Sequence, residues 1–343
     1  MIRTDAHHHL WKLGRRPQAW LESPEMAPIR RDFTLTDLAA QAKAAGIDRT
    51  VLVQVLPSLA ETAEFLALAG ESDLIAGVVG WADLTSSAVR EMLSALRSGP
   101  GGARLAGIRH LVQGEPDPRW LARPDVRRGL RAVAAAGLAY DLLTLPHQLP
   151  AAIGTVRALP GLTFVLEHLS KPHIASGELQ PWAALVRELA GLPNVYCKLS
   201  GMVTEAARPG WTVAGLRPYA ETVLAAFGPS RVMFGSDWPV CTLAASYADV
   251  VSAARELTAK LSQDEQVQVF GGTATRAYGL PEAGHEGSSG ARERGLDIDV
   301  PATATVLESV CHRSSDGDRS VQGGPGVAGS RIPILYPQRG YTK

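Results

Sequence analysis

Short apolar runs alternate with longer amphipathic stretches over residues 1–280. Eight of the runs read as strands: IRTDAH (2–7), TVLVQV (50–55), IAGVVGW (75–81), AGIRHLV (106–112), AYDLLTL (139–145), TFVLEHL (163–169), VYCKLSG (195–201) and RVMFGSD (231–237). They are short and apolar on both faces, the pattern of strands covered on both sides in a parallel sheet. The stretches between them have helical character. DLAAQAKAAG (37–46) closes on Gly46, a residue suited to the left-handed position after a helix. LAETAEFLALAG (59–70) follows Ser58, with Glu61 placed to complete a capping box, and VRRGLRAVAAAG (126–137) ends at Gly137. A last helical pair covers about 246–260 and 263–278, the second opened by Ser262 with Glu265 three residues on. Eight such strands alternating with helices predict the α/β class and a (β/α)₈ TIM barrel rather than an open doubly wound sheet. No GxGxxG opens a helix after the first strand, which argues against the dinucleotide-binding form.

After Pro281 the periodicity stops. Residues 281–343 are rich in Gly, Ser, Arg and Asp, with one apolar patch, TATVLESV (303–310). Such a composition buries too little apolar area to offset chain entropy, so the expected organisation is one barrel domain over 1–280 and a low-complexity, disordered tail over 281–343.

Composition adds exclusions. The 343 residues carry 34 Lys and Arg against 34 Asp and Glu, and this neutral balance argues against a nucleic-acid partner, which demands concentrated positive charge. No apolar run is long enough to span a bilayer, and MIRTDAHHHLW does not read as a signal peptide. Cys197, Cys241 and Cys311 form neither a disulfide framework nor a metal knuckle. A cytoplasmic enzyme acting on a small molecule is the simplest expectation, with a homodimer expected only from the frequency of symmetric enzymes.

A TIM barrel builds its active site at the C-terminal ends of its strands, and reactive side chains gather there. The first strand ends in Asp5-Ala6-His7-His8-His9. Strict alternation puts Asp5, His7 and His9 on one face and His8 on the other. The HxH pair can present two imidazoles to one metal ion or one substrate oxygen. The sixth strand ends in Glu167-His168-Leu169-Ser170-Lys171-Pro172. The eighth ends in Gly235-Ser236-Asp237-Trp238-Pro239, where a sharp turn projects Asp237 into the barrel mouth. Arg109 and His110 end the fourth strand, Lys198 lies on the seventh, and Gln54 and Trp81 end the second and third. With Lys171 these six compose an expected substrate-reading shell of cationic and amide donors. Lys171 could instead pair with Glu167 or another internal carboxylate.

In this order, DAHHHLW, IRHLVQ, EHLSKP, KLSG and FGSDWPV resemble the amidohydrolase superfamily, and within it the lactonase branch of L-fuconolactonase and other sugar-lactone hydrolases. The resemblance spans about residues 1–280. It implies a hydrolase with His7, His9, His168 and Asp237 as the catalytic set. Binuclear members of the superfamily bridge two metals with a carboxylated lysine or a glutamate and add a further strand-end histidine. At the corresponding strands this chain has Asp141 and Lys198, so a binuclear centre is not expected. Either no metal is required or one divalent ion, zinc first, is held by His7, His9 and Asp237 with His168 nearby. His110 and His147 are candidates for an extra ligand, for substrate contact or for the wall.

Lactone opening requires a water made nucleophilic and a carbonyl oxygen stabilised as it gains charge. Asp237 is the expected base; the three histidines are expected to polarise the carbonyl through a metal or directly. Two other readings remain open at this point: a metal-dependent decarboxylase of an aromatic or unsaturated acid, and a barrel that binds a metabolite without catalysis. The polar shell favours the lactonase over the first, and the complete His and Asp set favours it over the second.

Overall fold

In a computed structural model, which describes residues 2–207 and 209–281, eight parallel strands follow one another around a barrel in chain order. They are β1 (Thr4–His8), β2 (Arg49–Val53), β3 (Ile75–Gly80), β4 (Leu105–His110), β5 (Ala139–Leu142), β6 (Phe164–Leu166), β7 (Val195–Leu199) and β8 (Val232–Phe234). Just beyond β8 the chain closes onto β1, where Asp237 N–H donates to His7 O at 2.9 Å and His9 N–H to Trp238 O at 2.7 Å. The helices are α1 (Leu35–Ala44), α2 (Leu59–Gly70), α3 (Val89–Ser98), α4 (Pro124–Ala135), α5 (Leu149–Ala158), α6 (Trp182–Ala190), α7 (Met202–Glu205), α8 (Val213–Phe227), α9 (Tyr247–Leu257), α10 (Gln263–Val267) and α11 (Thr273–Tyr278). The barrel expected from the sequence is the fold observed. The expected tail lies, from residue 282 on, outside the described residues. Among the described residues no helix is long and apolar enough to cross a membrane.

Local chemistry accounts for the helix starts. Reciprocal capping boxes open α1 (Thr34 with Asp37), α9 (Ser246 with Asp249) and α10 (Ser262 with Glu265), each satisfying two amides. The box expected at Ser58 is only half formed. Ser58 Oγ accepts from Glu61 N–H at 3.2 Å, but the Glu61 carboxylate turns away to accept from Val55 and Leu56 N–H at 2.8 and 2.9 Å. The loop leaving β2 offers two otherwise unpaired amides, and the buried carboxylate goes to them. In α3 the buried residues Val89, Met92, Leu93 and Leu96 follow helical spacing and form the stripe that joins the core.

Two apolar layers result. The larger lies between strands and helices. The smaller fills the barrel interior with Ala6, Val51, Val53, Val79, Ala139, Val165 and Met233, and α11 closes it with Ala274, Ala277 and Tyr278. Above this apolar floor the interior becomes polar and charged.

Candidate active site

The first departure from simple strand geometry sits in β1. Its pairing with β2 slips between Asp5 and His8, so the period of two is interrupted. Ala6 belongs to the interior layer, yet His7 and His9 meet, their Nε2 atoms 3.0 Å apart. Asp5 does not join them. It accepts from the backbone of His7 and Ser236 and from Tyr247 Oη on α9, and burial, opposed by those hydrogen bonds, pushes its carboxyl up to about 6. His8 bonds Thr50 Oγ1 at 2.9 Å, away from the other two.

The second departure follows β6. The expected strand stops at Leu166 rather than 169, because His168, Leu169, Ser170 and Lys171 all take positive φ, between 49° and 59°. Left-handed backbone costs roughly 1–2 kcal/mol per non-glycine residue, so the surroundings must hold this turn. Trp182 Nε1 donates to Leu169 O at 2.6 Å, the Ser170 and Thr144 hydroxyls meet at 2.8 Å, and His168 Nδ1 bonds Ser200 Oγ at 2.8 Å. The turn aims His168 and Lys171 at the same cavity. Asp237 is a fifth left-handed residue, at φ 58°. Strain gathered at one end of a barrel marks a site.

Glycines allow the rings to close in. A Cβ on Gly235 would stand 2.7 Å from His7 Cβ, and one on Gly201 would stand 2.6 Å from His168 Nδ1. Gly201 at the end of KLSG and Gly235 within FGSD are therefore required because the His168 ring and the His7 Cβ occupy the space a side chain would take.

Asp237 Oδ1 is buried and has no hydrogen-bond partner among the described residues. The Nε2 atoms of His7, His9 and His168 stand 3.6, 3.5 and 3.9 Å from it. Burial pushes the Asp237 carboxyl upward, but His168, His9 and His7 outweigh this and hold it well below the usual carboxylate range. Burial lowers His168 to about 4 against the opposing pull of Asp237 and Glu167, so the ring is neutral at pH 7. His7 is also driven well below its ordinary value by burial, although Glu167 opposes it.

His9 Nδ1 lies 2.8 Å from Val53 O, which can only accept, so this nitrogen carries the proton and His9 Nε2 presents a lone pair. His7 Nδ1 lies 3.0 Å from Glu167 Oε1 and 3.3 Å from Lys198 Nζ; the nearer, charged acceptor favours a proton on Nδ1, which leaves His7 Nε2 as a second lone pair facing Asp237 Oδ1. Two facing lone pairs and an orphaned carboxylate oxygen fit a divalent cation. In a tetrahedral zinc site with bonds of about 2.0–2.1 Å, donor atoms stand about 3.3 Å apart, close to the 3.0, 3.5 and 3.6 Å spacings here. His7, His168 and Asp237 also bring one ligand atom each within 4.8 Å of one another.

Around this centre a small cavity is lined by the apolar Trp20, Val55, Leu143 and Val240, by Arg109, Gln113 and Lys171, and by His9, His168 and Asp237. Of the six residues expected to read substrate, Arg109 and Lys171 line it. Arg109 gives Nη1 to Glu167 Oε2 at 2.6 Å and Nη2 to Gln54, while its Nε has no partner among the described residues. Lys171 stands 3.8 Å from Glu205 rather than beside Glu167. Gln54 and Lys198 are fully buried beneath the cavity: Gln54 holds Arg109, and Lys198 bonds Asp141 and Glu167 at 2.8 and 3.0 Å. Trp81 and His110 bond each other at 3.3 Å. His110 also bonds Glu115 and stacks on Trp120 at 4.1 Å, so this pair is not among the lining residues. His147 is exposed. Glu167, central to the geometry, entered the sequence reading only as a partner for Lys171. Alternation from inward-facing Val165 was the signal that places it inside.

A family model described as amidohydrolase matches residues 4–280. An L-fucono-1,5-lactonase from Burkholderia ambifaria is 37% identical over 281 residues, spanning 81% of this chain and 95% of that protein. The protein of the same name from Burkholderia multivorans is 38% identical over 292 residues, spanning 82% and 97%. A solved amidohydrolase structure from Burkholderia multivorans, with bound zinc, aligns at a TM-score of 0.77 and 38% identity, covering 82% of this chain and 100% of that one.

Proposed function

The chain belongs to the amidohydrolase family, and from that premise we propose that it is a lactonase. It opens the ring of a sugar acid lactone such as L-fuconolactone, or of a related carboxylated lactone, by Asp237-assisted attack of water. The reaction belongs to one catalytic domain over residues 1–280. The observation that carries this reading is the bare, buried Asp237 Oδ1 among three imidazole nitrogens, at the base of a cavity bearing two cationic side chains. The relatives named L-fucono-1,5-lactonase support the substrate class.

Asp237 is ionised throughout the neutral range, so it accepts a proton from water as the water attacks and returns it to the departing alkoxide. Its left-handed backbone and the Asp237 N–H bond to His7 O fix where Oδ1 sits, which limits the reorganisation the step requires. The carbonyl oxygen gains charge as the tetrahedral intermediate forms. Arg109, through its unpartnered Nε–H, and Lys171 supply positive charge on the cavity wall to stabilise it or to hold a substrate hydroxyl or carboxylate. Neutral His168 offers Nε2 to the same space. Trp20, Val55, Leu143 and Val240 give the cavity apolar lining beside these polar groups. Gln54 and Lys198 act beneath the site by holding Arg109 and Glu167. A divalent ion, zinc first, would be held by His7, His9 and Asp237 with His168 alongside, where it would supply Lewis-acid polarisation of the carbonyl or of water.

The test is a screen of aldonolactones and aromatic-acid lactones with a pH indicator, run with and without chelator. Acid release from a sugar acid or carboxylated lactone supports the reading. Hydrolysis of neither class removes it. The chelator arm decides whether a metal is required.

A further inference from the structure

Directly below His7, the barrel interior holds a column of buried polar groups that never reaches the cavity. Tyr278 Oη, rising from α11 at the floor, donates to Asp141 Oδ2 at 2.7 Å. The same oxygen accepts from Lys198 Nζ at 2.8 Å, and Nζ also donates to Glu167 Oε1 at 3.0 Å. That Glu167 oxygen in turn stands 3.0 Å from His7 Nδ1, which also lies 3.3 Å from Lys198 Nζ; an ammonium can only donate, so the shorter contact to the carboxylate is the one that places a proton on Nδ1. Lys198 Nζ lies 5.3 Å above the Tyr278 ring, so the ring supports the ammonium as well. Asp141, Glu167 and Lys198 are fully buried, and Tyr278 is 5% exposed.

Stability alone does not explain this arrangement. Buried ion pairs are often no more stabilising than well-packed apolar side chains of similar volume. The layer immediately below uses Ala6, Val51, Val53, Val79 and Met233 to fill the same barrel. Each group in the column has a directional task instead. The Glu167 carboxylate has two oxygens: Arg109 holds Oε2 at 2.6 Å and Lys198 holds Oε1, so the group cannot rotate away from His7. Lys198 has a long, flexible stem, and Asp141 fixes where its ammonium sits. Asp141 is itself fixed by the Tyr278 hydroxyl.

We propose that Lys198, Asp141 and Tyr278 are positioning residues that act through Glu167 to hold His7 in the Nδ1–H tautomer with Nε2 aimed at Asp237. The catalytic face is thereby tied to the opposite end of the barrel through a chain of side chains, and the last described helix takes part in setting the geometry of the first strand. A carboxylate that fixes an imidazole tautomer is a familiar support for such sites; here the support extends three residues further, to the barrel floor.

The kinetic arm of the test rests on the lactonase reading, but the spectroscopic arm does not. The full chain carrying ¹⁵N-labelled histidine, in metal-free buffer, reports the His7 tautomer by long-range proton–nitrogen correlation, with its signals assigned by their absence in His7→Asn. The wild-type protein should show His7 protonated at Nδ1. Tyr278→Phe keeps the ring and removes only the hydroxyl. It should lower kcat roughly two- to tenfold, the loss expected of one hydrogen bond, leave KM unchanged, and introduce a population of the Nε2–H tautomer. Glu167→Gln should shift the tautomer further and lower kcat roughly 10- to 100-fold. A His7 ring that stays fully Nδ1-protonated in both variants overturns the proposal, whatever the activity. If no lactone is hydrolysed but the tautomer shifts as described, the column stands and the substrate assignment falls.

Discussion

His7 Nε2 and His9 Nε2 stand 3.0 Å apart with both Nδ1 protons committed elsewhere, one to Glu167 and one to Val53 O. Two lone pairs held this close repel unless a cation lies between or beside them. Zinc should therefore stabilise the fold. At a free concentration 100 times its Kd, a ligand that binds only the native state adds about 2.7 kcal/mol, which for a domain of this size is a rise in Tm of roughly 4–5 °C. Differential scanning fluorimetry of chelator-treated protein, with and without added zinc, measures this. His9→Asn removes one donor and should abolish most of the rise. An equal rise in wild type and His9→Asn would place the ion elsewhere.

Asp237 is expected to dominate the chemistry. Among the described residues its Oδ1 has no hydrogen-bond partner, and Asp237→Asn removes the charge while keeping the shape. Initial rates of lactone opening should fall roughly 10²- to 10⁴-fold, the range for loss of a general base. The Tm measured in chelator should fall, because His168, His9 and His7 favour the charged carboxylate over a neutral side chain. Activity within tenfold of wild type would remove Asp237 from the base role.

How far the site could be read from sequence differs between its parts. The strand and helix order was legible because burial on both strand faces and helical spacing are local patterns, and Val89, Met92, Leu93 and Leu96 illustrate the latter. His7, His9, His168 and Asp237 were visible because strand ends in a barrel converge on one mouth. The slip in β1 was not, since alternation carries no mark of a broken register, and it separated Asp5 from the pair it was expected to join. The left-handed turn at His168–Lys171 was equally hidden: no glycine announces it, and tertiary contacts from Trp182, Thr144 and Ser200 hold it. The ion pairs of Glu167 with Arg109 and Lys198 join residues 58 and 31 positions apart. Only the barrel brings them together, which is why the sequence shows Lys198 and Gln54 as donors at strand ends but not the partners they hold beneath the cavity.

Glu61 gives the fold a pH dependence that is separate from catalysis. Burial raises its carboxyl from 4.5 to about 7, against the amides of Leu56 and Val55 and the charges of Arg16 and Arg109. The folded state thus binds a proton that the unfolded chain releases above about pH 4.5. The associated stability is fully present below that pH and is lost as pH rises through about 7. A shift of this size is worth on the order of 3 kcal/mol. Glu61→Gln keeps one oxygen for the two amides and has nothing to ionise. Urea denaturation at pH 5 and pH 8 should show the stability of Glu61→Gln relative to wild type increasing with pH. A gap that does not change between the two values would mean that Glu61 is charged in the fold at both.

Gly201 and Gly137 separate the backbone requirement for glycine from the spatial one. Their φ values are nearly equal, +65° and +68°. A Cβ at Gly137 meets nothing within 4 Å, whereas one at Gly201 meets His168 at 2.6 Å from Nδ1 and 2.7 Å from Cγ. Both alanine variants carry the left-handed cost, roughly 1–2 kcal/mol, and both should lose about that much stability. Only Gly201→Ala also forces the His168 ring to move. The ring is held by Ser200 Oγ on one side and faces Asp237 on the other, so the displacement acts on the spacing that the reaction uses. Per folded molecule, Gly137→Ala should keep wild-type kcat, while Gly201→Ala should lose at least tenfold, consistent with the sensitivity of catalysis to displacements of about 1 Å. Urea midpoints and rates measured on the same preparations separate the two effects. Equal kcat in the two variants would show that the approach of His168 to Gly201 serves packing alone.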